Sequence, residues 1–155
     1  MKQSGSASGN VLRLPRGAYV KDTLAAGYAV NGDATDNRLV IDNVTAGTVY
    51  SGHSENGGDS YTGNTLEIHG TSSHVSAISG VQDYEFDVGR LPGDYMLRAG
   101  NVDIGGAARI TLGFDDTSAL IGMEKGSTIG LLHSDGTLSG NMASCGLKGG
   151  ARDIY

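Results

Sequence analysis

The chain has 155 residues and a formal net charge of −6, and its 11 lysine and arginine residues form no cluster. This charge pattern argues against binding to nucleic acid or to an anionic membrane surface, because both partners attract basic patches. The single cysteine, Cys145, excludes an internal disulfide framework. No run of about 20 apolar residues, as a transmembrane helix would need, is present.

The composition favours an ordered all-β chain with many tight turns. Glycine contributes 26 residues and proline only 2, while the hydrophobic share of 38% is arranged in alternating runs. Tryptophan is absent, so we expect a core of leucine, isoleucine, valine and alanine. Along the chain we expect a flexible lead at residues 1–9, a folded part at 10–133 and a glycine-rich terminal edge at 134–155.

Three similar segments lie at equal spacing in the first half of the chain. Each has a turn residue, an asparagine and two alternating apolar residues, and the asparagines are 27 residues apart both times. A fixed period of this length, with apolar residues at period two, predicts stacked strands and therefore a β-solenoid. The residues expected to carry this structural repeat are Asn10, Leu12, Leu14, Asn37, Leu39, Ile41, Asn64, Leu66 and Ile68.

Two roles are open for the repeated asparagines. Their side-chain amides can stack in a column and bond one another along the axis of the fold. Alternatively, each asparagine only takes a left-handed turn conformation before its strand. Neither role makes them ligand-binding residues.

The second half of the chain keeps the strand pattern but loses the 27-residue signature. Alternating apolar residues occur between 95 and 132, and turn signals separate them at Leu91–Asp94, Gly105–Gly106 and Lys125–Gly126. Residues 84–132 have the densest apolar strands.

The order of these motifs resembles the passenger domain of bacterial autotransporters, the proteins of type V secretion. Residues 37–52 resemble its repeats, although Ser51-Gly52 stands where those repeats have Gly-Gly. Residues 84–133 resemble the region just before the translocator, with a Tyr-x-Phe strand, a Leu-Pro turn and a Gly-Ser-Thr-Ile element. The resemblance implies a right-handed parallel β-helix (β-solenoid) built on the 27-residue repeat of the asparagine segments. It also implies secretion or display at the bacterial outer membrane through a C-terminal β-barrel translocator. In that family the region before the barrel helps the passenger to fold, so the resemblance makes residues 84–132 our candidate for a folding core.

The sequence predicts no catalytic, cofactor-binding or metal-binding residue. The four histidines, His53, His69, His74 and His133, have no cysteine or histidine cluster beside them and are expected to be lone surface residues. No Gly-x-Ser-x-Gly element pins a nucleophile beside a base. Asp33, Asp36 and Asp59 occupy equivalent loops, where solvated turn carboxylates are expected rather than a calcium site.

The expected function is that of a structural stalk and an adhesion or self-association module, without enzymatic activity. Its expected partners are host or bacterial surface molecules, further copies of itself and, in the full-length protein, the outer-membrane β-barrel translocator. Two alternatives remain. One is a carbohydrate-active β-helix enzyme resembling a polysaccharide lyase, which needs a groove of clustered acidic and basic residues. The other is a phage- or fibre-associated trimeric solenoid.

Overall fold

A computed structural model describes residues 5–114 and 123–147 of the chain. Residues 1–4 of the expected lead, residues 115–122 of the expected folding core and residues 148–155 of the expected terminal edge lie outside the described part. The described residues form 13 β-strands and no helix. In chain order the strands are β1 (Val11–Arg13), β2 (Tyr19–Val20), β3 (Leu24–Ala29), β4 (Arg38–Asp42), β5 (Thr45–Ser54), β6 (Thr65–His69), β7 (Ser73–Ser79), β8 (Asp83–Val88), β9 (Tyr95–Asp103), β10 (Ala108–Phe114), β11 (Gly130–Ser134), β12 (Leu138–Ser139) and β13 (Met142–Leu147).

The strands belong to two sheets, and every pair of neighbours is parallel. The first sheet has six strands in the order β1-β4-β6-β8-β10-β13. The second has seven, in the order β11-β9-β7-β5-β2, with β12 also beside β9 and β3 also beside β5. The chain alternates between the sheets, so each strand lies beside its equivalent from the next pass of the chain.

The spacing between paired residues changes along the first sheet. Val11 pairs with Arg38 and Arg38 with Thr65, and both steps have the 27-residue length of the asparagine spacing. Thr65 then pairs with Asp83, which is a shorter step along the chain, whereas the step from Arg109 to its partner Ser144 is a longer one. The length of each pass is therefore not a constant of this fold.

The prediction of an all-β, right-handed parallel β-helix with a regular 27-residue repeat is therefore wrong as stated. The described residues instead form two parallel sheets of six and seven strands, and the strand spacing varies. The physical reason for the variation lies in the connections: β5 and β6 are separated by a loop at 55–64, whereas only residues 80–82 separate β7 from β8. Register is held by the side chains that pair across strands, while connections of different length can be accommodated.

One hydrophobic core receives side chains from both sheets. Strand alternation sends every second residue to the core side. Leu39, Ile41, Leu66 and Ile68 of the first sheet are fully buried, and the same cluster contains second-sheet residues such as Val49. The other buried apolar members of the cluster are Leu24, Val44, Ala46, Val75, Ile78, Val81, Tyr84, Phe86, Val88, Met96, Leu97, Ala99, Val102 and Ala108. None of the described segments forms a helix with the length and apolar character of a membrane span.

Two register-paired glycines of the second sheet make room for the asparagines of the neighbouring corner. Gly27 pairs with Gly52. A methyl group built on Gly27 would overlap the side-chain amide of Asn37, and one on Gly52 would overlap the amide of Asn64 and the backbone oxygen of Ala34. The absence of a side chain at these two positions is therefore a steric requirement of the fold.

We predict that Gly52→Ala destabilises the protein by about 1–3 kcal/mol, because the added methyl group forces Asn64 or the Ala34 backbone to move. Gly106→Ala is the matched control, since a methyl group there meets open space. Urea unfolding followed by circular dichroism measures both variants. Equal stability of the two variants would show that the space beside Asn64 is not tightly packed.

Candidate functional site

The three repeated asparagines form a hydrogen-bonded column along one corner of the fold. The backbone N–H and Nδ2 of Asn10 both donate to Oδ1 of Asn37, at 3.1 and 2.9 Å. The same two groups of Asn37 donate to Oδ1 of Asn64, at 3.0 and 3.3 Å. Asn37 and Asn64 are fully buried, whereas Asn10 is exposed. The column links three successive passes of the chain through side-chain amides.

The two roles considered for these asparagines occur together in the structure. The residue before each asparagine has a positive φ: 71° at Gly9, 56° at Asp36 and 69° at Gly63. This sharp turn places each asparagine at the start of a strand. On the next pass Gln82 takes the equivalent position, and its Oε1 accepts from the Gly63 N–H at 2.9 Å. The column therefore ends where the 27-residue spacing ends.

The repeated apolar residues lie in register beside this column. Leu12 pairs with Leu39 and Leu39 with Leu66, while Ile41 pairs with Ile68. The backbone N–H of Leu14 donates to the Val40 oxygen at 3.0 Å, so the chain keeps this register just beyond β1. Leu12 and Leu14 are only partly buried, because β1 is the first strand of its sheet.

The loop carboxylates Asp33 and Asp59 accept hydrogen bonds from the backbone and side chains of their turns. Oδ1 of Asp59 accepts from the N–H groups of Tyr61 and Thr62, and Oδ2 accepts from the Thr62 hydroxyl at 2.6 Å. Asp33 accepts from the Asp59 N–H at 2.8 Å. The bonds from Thr62, first from its hydroxyl and then from its backbone, and that from Tyr61 hold the pKa of Asp59 below its ordinary value.

Three of the four histidines lie on or near the second sheet. His53 contacts the rings of Tyr28 and Tyr50, with centroids 5.6 and 4.5 Å away, and His133 stacks on Tyr95 at 4.7 Å. His74 is exposed. The fourth, His69, lies on the outer face of the first sheet, where the sequence predicted only a lone surface histidine.

The outer face of the first sheet carries a network of charges. Nη1 of Arg38 donates to Glu67 Oε2 at 2.7 Å and to Glu85 Oε2 at 2.9 Å, so one guanidinium bridges strands β6 and β8. The bond to Glu85 is the largest cause of a raised pKa for Arg38, against a smaller opposing effect of burial. Arg109 and Asp83 form a second pair across β8 and β10, with Nη2 of Arg109 2.8 Å from Oδ2 of Asp83.

Glu67, His69 and Asp87 converge within this network, and we call them the outer-face triad. One donor atom from each residue lies within 4.8 Å of the other two. Nε2 of His69 lies 2.7 Å from Glu67 Oε1 and 3.7 Å from Asp87 Oδ2. Burial works to raise the pKa of Glu67, but hydrogen bonds from His69 and Arg38 outweigh it, so the pKa is lowered.

A cleft of about 420 Å³ opens beside His69. Asp42, whose strand neighbours that of His69 and pairs with it in register, forms part of its wall. Oδ1 of Asp42 is buried and accepts no hydrogen bond, and Nε of Arg16 lies 3.7 Å from it. The residues that line this cleft are Arg16, Asp42, His69, Gly70, Thr71, Gly89 and Arg90.

The sequence signal for the outer-face triad was present but incomplete. Glu67 and His69 are two positions apart in a strand whose Leu66 and Ile68 face the core, so strand alternation alone places both on the outer face. Asp87 could not be added without knowing the register between β6 and β8. That register pairs Ile68 with Phe86 and departs from the spacing of the asparagines.

The last described strands leave apolar side chains uncovered. Cys145 pairs with Ile110 and Leu147 with Leu112, so both continue columns of core residues. Cys145 is nevertheless exposed, and Leu147 is 51% exposed.

Leu138 pairs with the buried Val102 in the second sheet and is 62% exposed. We call this surface, which also includes Met142, the open end.

Comparisons with known proteins identify no relative. No family model, no curated protein and no solved structure matches the chain.

We predict that Asn37→Ala lowers the free energy of unfolding by about 1–3 kcal/mol, because it leaves buried polar groups of the column without partners. Asn141→Ala, at an exposed position, is the control. Urea unfolding of both variants measures the difference. If Asn37→Ala costs no more than the control, the amide column does not stabilise the fold.

The lowered pKa of Asp59 predicts a pH effect. Its stabilising contribution is complete above the ordinary value of 3.8 and is lost as the pH falls through the lower folded-state value. Asp59→Asn should therefore reduce stability near neutral pH and weaken the loss of stability in acid. Thr62→Val removes the hydroxyl donor and should raise the pKa of Asp59 in an NMR titration.

The control for this titration is Asp22→Asn, which changes an exposed carboxyl group outside the turn. An unchanged Asp59 pKa in Thr62→Val would contradict the role given to the hydroxyl.

Proposed function

We propose that this chain is part of an autotransporter passenger, secreted or displayed at a bacterial surface, and that it acts as a structural and self-association module. The order of motifs between residues 37 and 133 supports the family. The open end supports the self-association, and it is the observation on which the proposal depends.

The open end exposes apolar side chains that continue the core. In the described part of the chain, β13 is the outermost strand of its sheet, so one edge of its backbone pairs with no other described strand. Such an edge is a template for a further strand. Among the described residues, Leu147 and Leu138 lie at the end of core columns, and they lose contact with water when a further strand packs over them. The occupant we propose is the end of a second copy of this chain.

A second candidate is the carbohydrate-active enzyme. The observation in its favour is the cleft beside His69, because an acidic residue, Asp42, lines it together with the basic residues Arg16 and Arg90. A polyanionic or neutral polysaccharide incubated with the protein at several Ca²⁺ concentrations, with chain length measured by size exclusion, tests this candidate. Loss of cleavage in His69→Gln would assign the activity to the cleft.

We predict that Leu147→Glu weakens self-association by about tenfold to a hundredfold, the effect of exposing one buried leucine at an interface. Leu91→Glu is the matched control, because Leu91 is also an exposed leucine, 41% accessible, but lies in the turn between β8 and β9. Sedimentation velocity over a range of protein concentrations measures the dissociation constant of each variant.

A chain that is monomeric at all concentrations contradicts self-association, and a trimer insensitive to Leu147→Glu supports the fibre-associated alternative. Cross-linking through Cys145 with a short bis-maleimide adds a geometric test, with Cys145→Ser as its control. The family is tested separately, by reading the coding sequence on both sides of this chain for an export signal and a translocator.

A further inference from the structure

We propose that the outer-face triad of Glu67, His69 and Asp87 binds one divalent transition-metal ion, with zinc preferred. The three donors come from two neighbouring strands of the first sheet. Glu67 and His69 lie on the same side of β6, and the register of β6 with β8 brings Asp87 opposite His69. The site is thus set by strand alternation and register, not by the conformation of a loop.

The distances suit a metal centre after small side-chain movements. Ligand atoms around zinc lie roughly 2.0–2.2 Å from the ion and therefore roughly 3–3.5 Å from one another. Nε2 of His69 is 2.7 Å from Glu67 Oε1 and 3.7 Å from Asp87 Oδ2. Insertion of the ion requires the distance between His69 and Glu67 to lengthen and that between His69 and Asp87 to shorten slightly. Rotation of the two carboxylates can supply both changes.

The triad is more enclosed than surface carboxylates usually are. The side chain of Asp87 is 7% exposed, that of Glu67 14% and that of His69 25%. Two carboxylates and a neutral imidazole together balance the charge of a divalent ion. Arg38 binds Oε2 of Glu67 and leaves Oε1 facing the imidazole, so it orients this carboxylate toward the triad.

The donor set selects the class of metal. An imidazole nitrogen with two carboxylate oxygens suits zinc and neighbouring transition metals, whereas calcium and magnesium prefer oxygen ligands alone. Three protein ligands leave a coordination position for water or a further ligand.

The surroundings of the triad supply access at His69, which lines a cleft, and a polar neighbour, Asp42. The cleft beside His69 has a volume of about 420 Å³, enough for an ion with its water molecules. Asp42 pairs in register with His69 on the other side from Asp87, and its buried Oδ1 accepts no hydrogen bond. Nε of Arg16 lies 3.7 Å from this oxygen, and the side chain of Asp42 is 34% exposed.

The test is a zinc titration of the full chain. The protein is treated with EDTA, desalted and titrated with Zn²⁺ in competition with a chromophoric chelator. We expect one ion per chain in the unmodified protein and at least about tenfold weaker binding in His69→Gln and in Asp87→Asn. His74→Gln, at an exposed histidine on the second sheet, is the matched control and should bind zinc as the unmodified protein does. Ca²⁺ alone should not displace the zinc.

Cobalt gives a second, spectroscopic readout. Co²⁺ in the triad should produce the intense visible d–d absorption of a four- or five-coordinate site, in place of the weak absorption of the hydrated ion, and His69→Gln should not show it. Circular dichroism confirms that each variant is folded, and Glu67→Gln replaces Asp87→Asn if the latter does not fold. Failure of the unmodified protein to bind Zn²⁺, or binding that His69→Gln leaves unchanged, overturns the proposal. Because self-association is assigned to the open end, its failure or success is measured independently of this site.

Discussion

Parallel register between successive passes of the chain is the constraint on which the other features of this structure depend. It stacks like upon like: leucine on leucine at positions 12, 39 and 66, and isoleucine on isoleucine at 41 and 68. It also aligns polar groups, so that each asparagine amide reaches the next one along the corner. A shift of register by one residue would bring the outward charged side chains into the core, and the buried face therefore specifies the register strongly.

The asparagine corner shows how a polar column can lie in an apolar interior. Buried amides are tolerated when their donors and acceptors are satisfied. Nδ2 of Asn64 donates to the oxygens of Ala34 and Ser60 at 2.7 and 2.8 Å, and its Oδ1 accepts twice from Asn37. The glycines at 27 and 52 complete this arrangement, since any side chain there would occupy the space of the amides. Asparagine at the corner before the first sheet and glycine in the second sheet therefore depend on each other for close packing.

The sequence was informative where the chemistry of the corner repeats and misleading where it changes. Strands at Val11, Arg38 and Thr65 follow the predicted spacing, because each begins after a positive-φ residue and an asparagine. At position 82 glutamine, with a longer side chain, replaces asparagine. The connection that precedes it is short, so fewer residues separate paired positions of β6 and β8 than of β4 and β6. β13 was not anticipated at all, since Met142–Leu147 has a weak apolar pattern and the pass that separates it from its partner β10 is the longest in this sheet.

The same dependence on register explains why the outer-face triad could not be found from sequence. His69 and His74 are near in sequence, yet they lie on different sheets. The residues that meet His69 come from its own strand and from β8. Strand alternation predicts Glu67 at once, but Asp87 follows only from a register that the short connection at 80–82 creates. The short connection before β8 ends the 27-residue repeat and also sets the register of β8 against β6. In this register Glu85 lies beside Arg38 and Asp87 beside His69, and these contacts form the charged outer face.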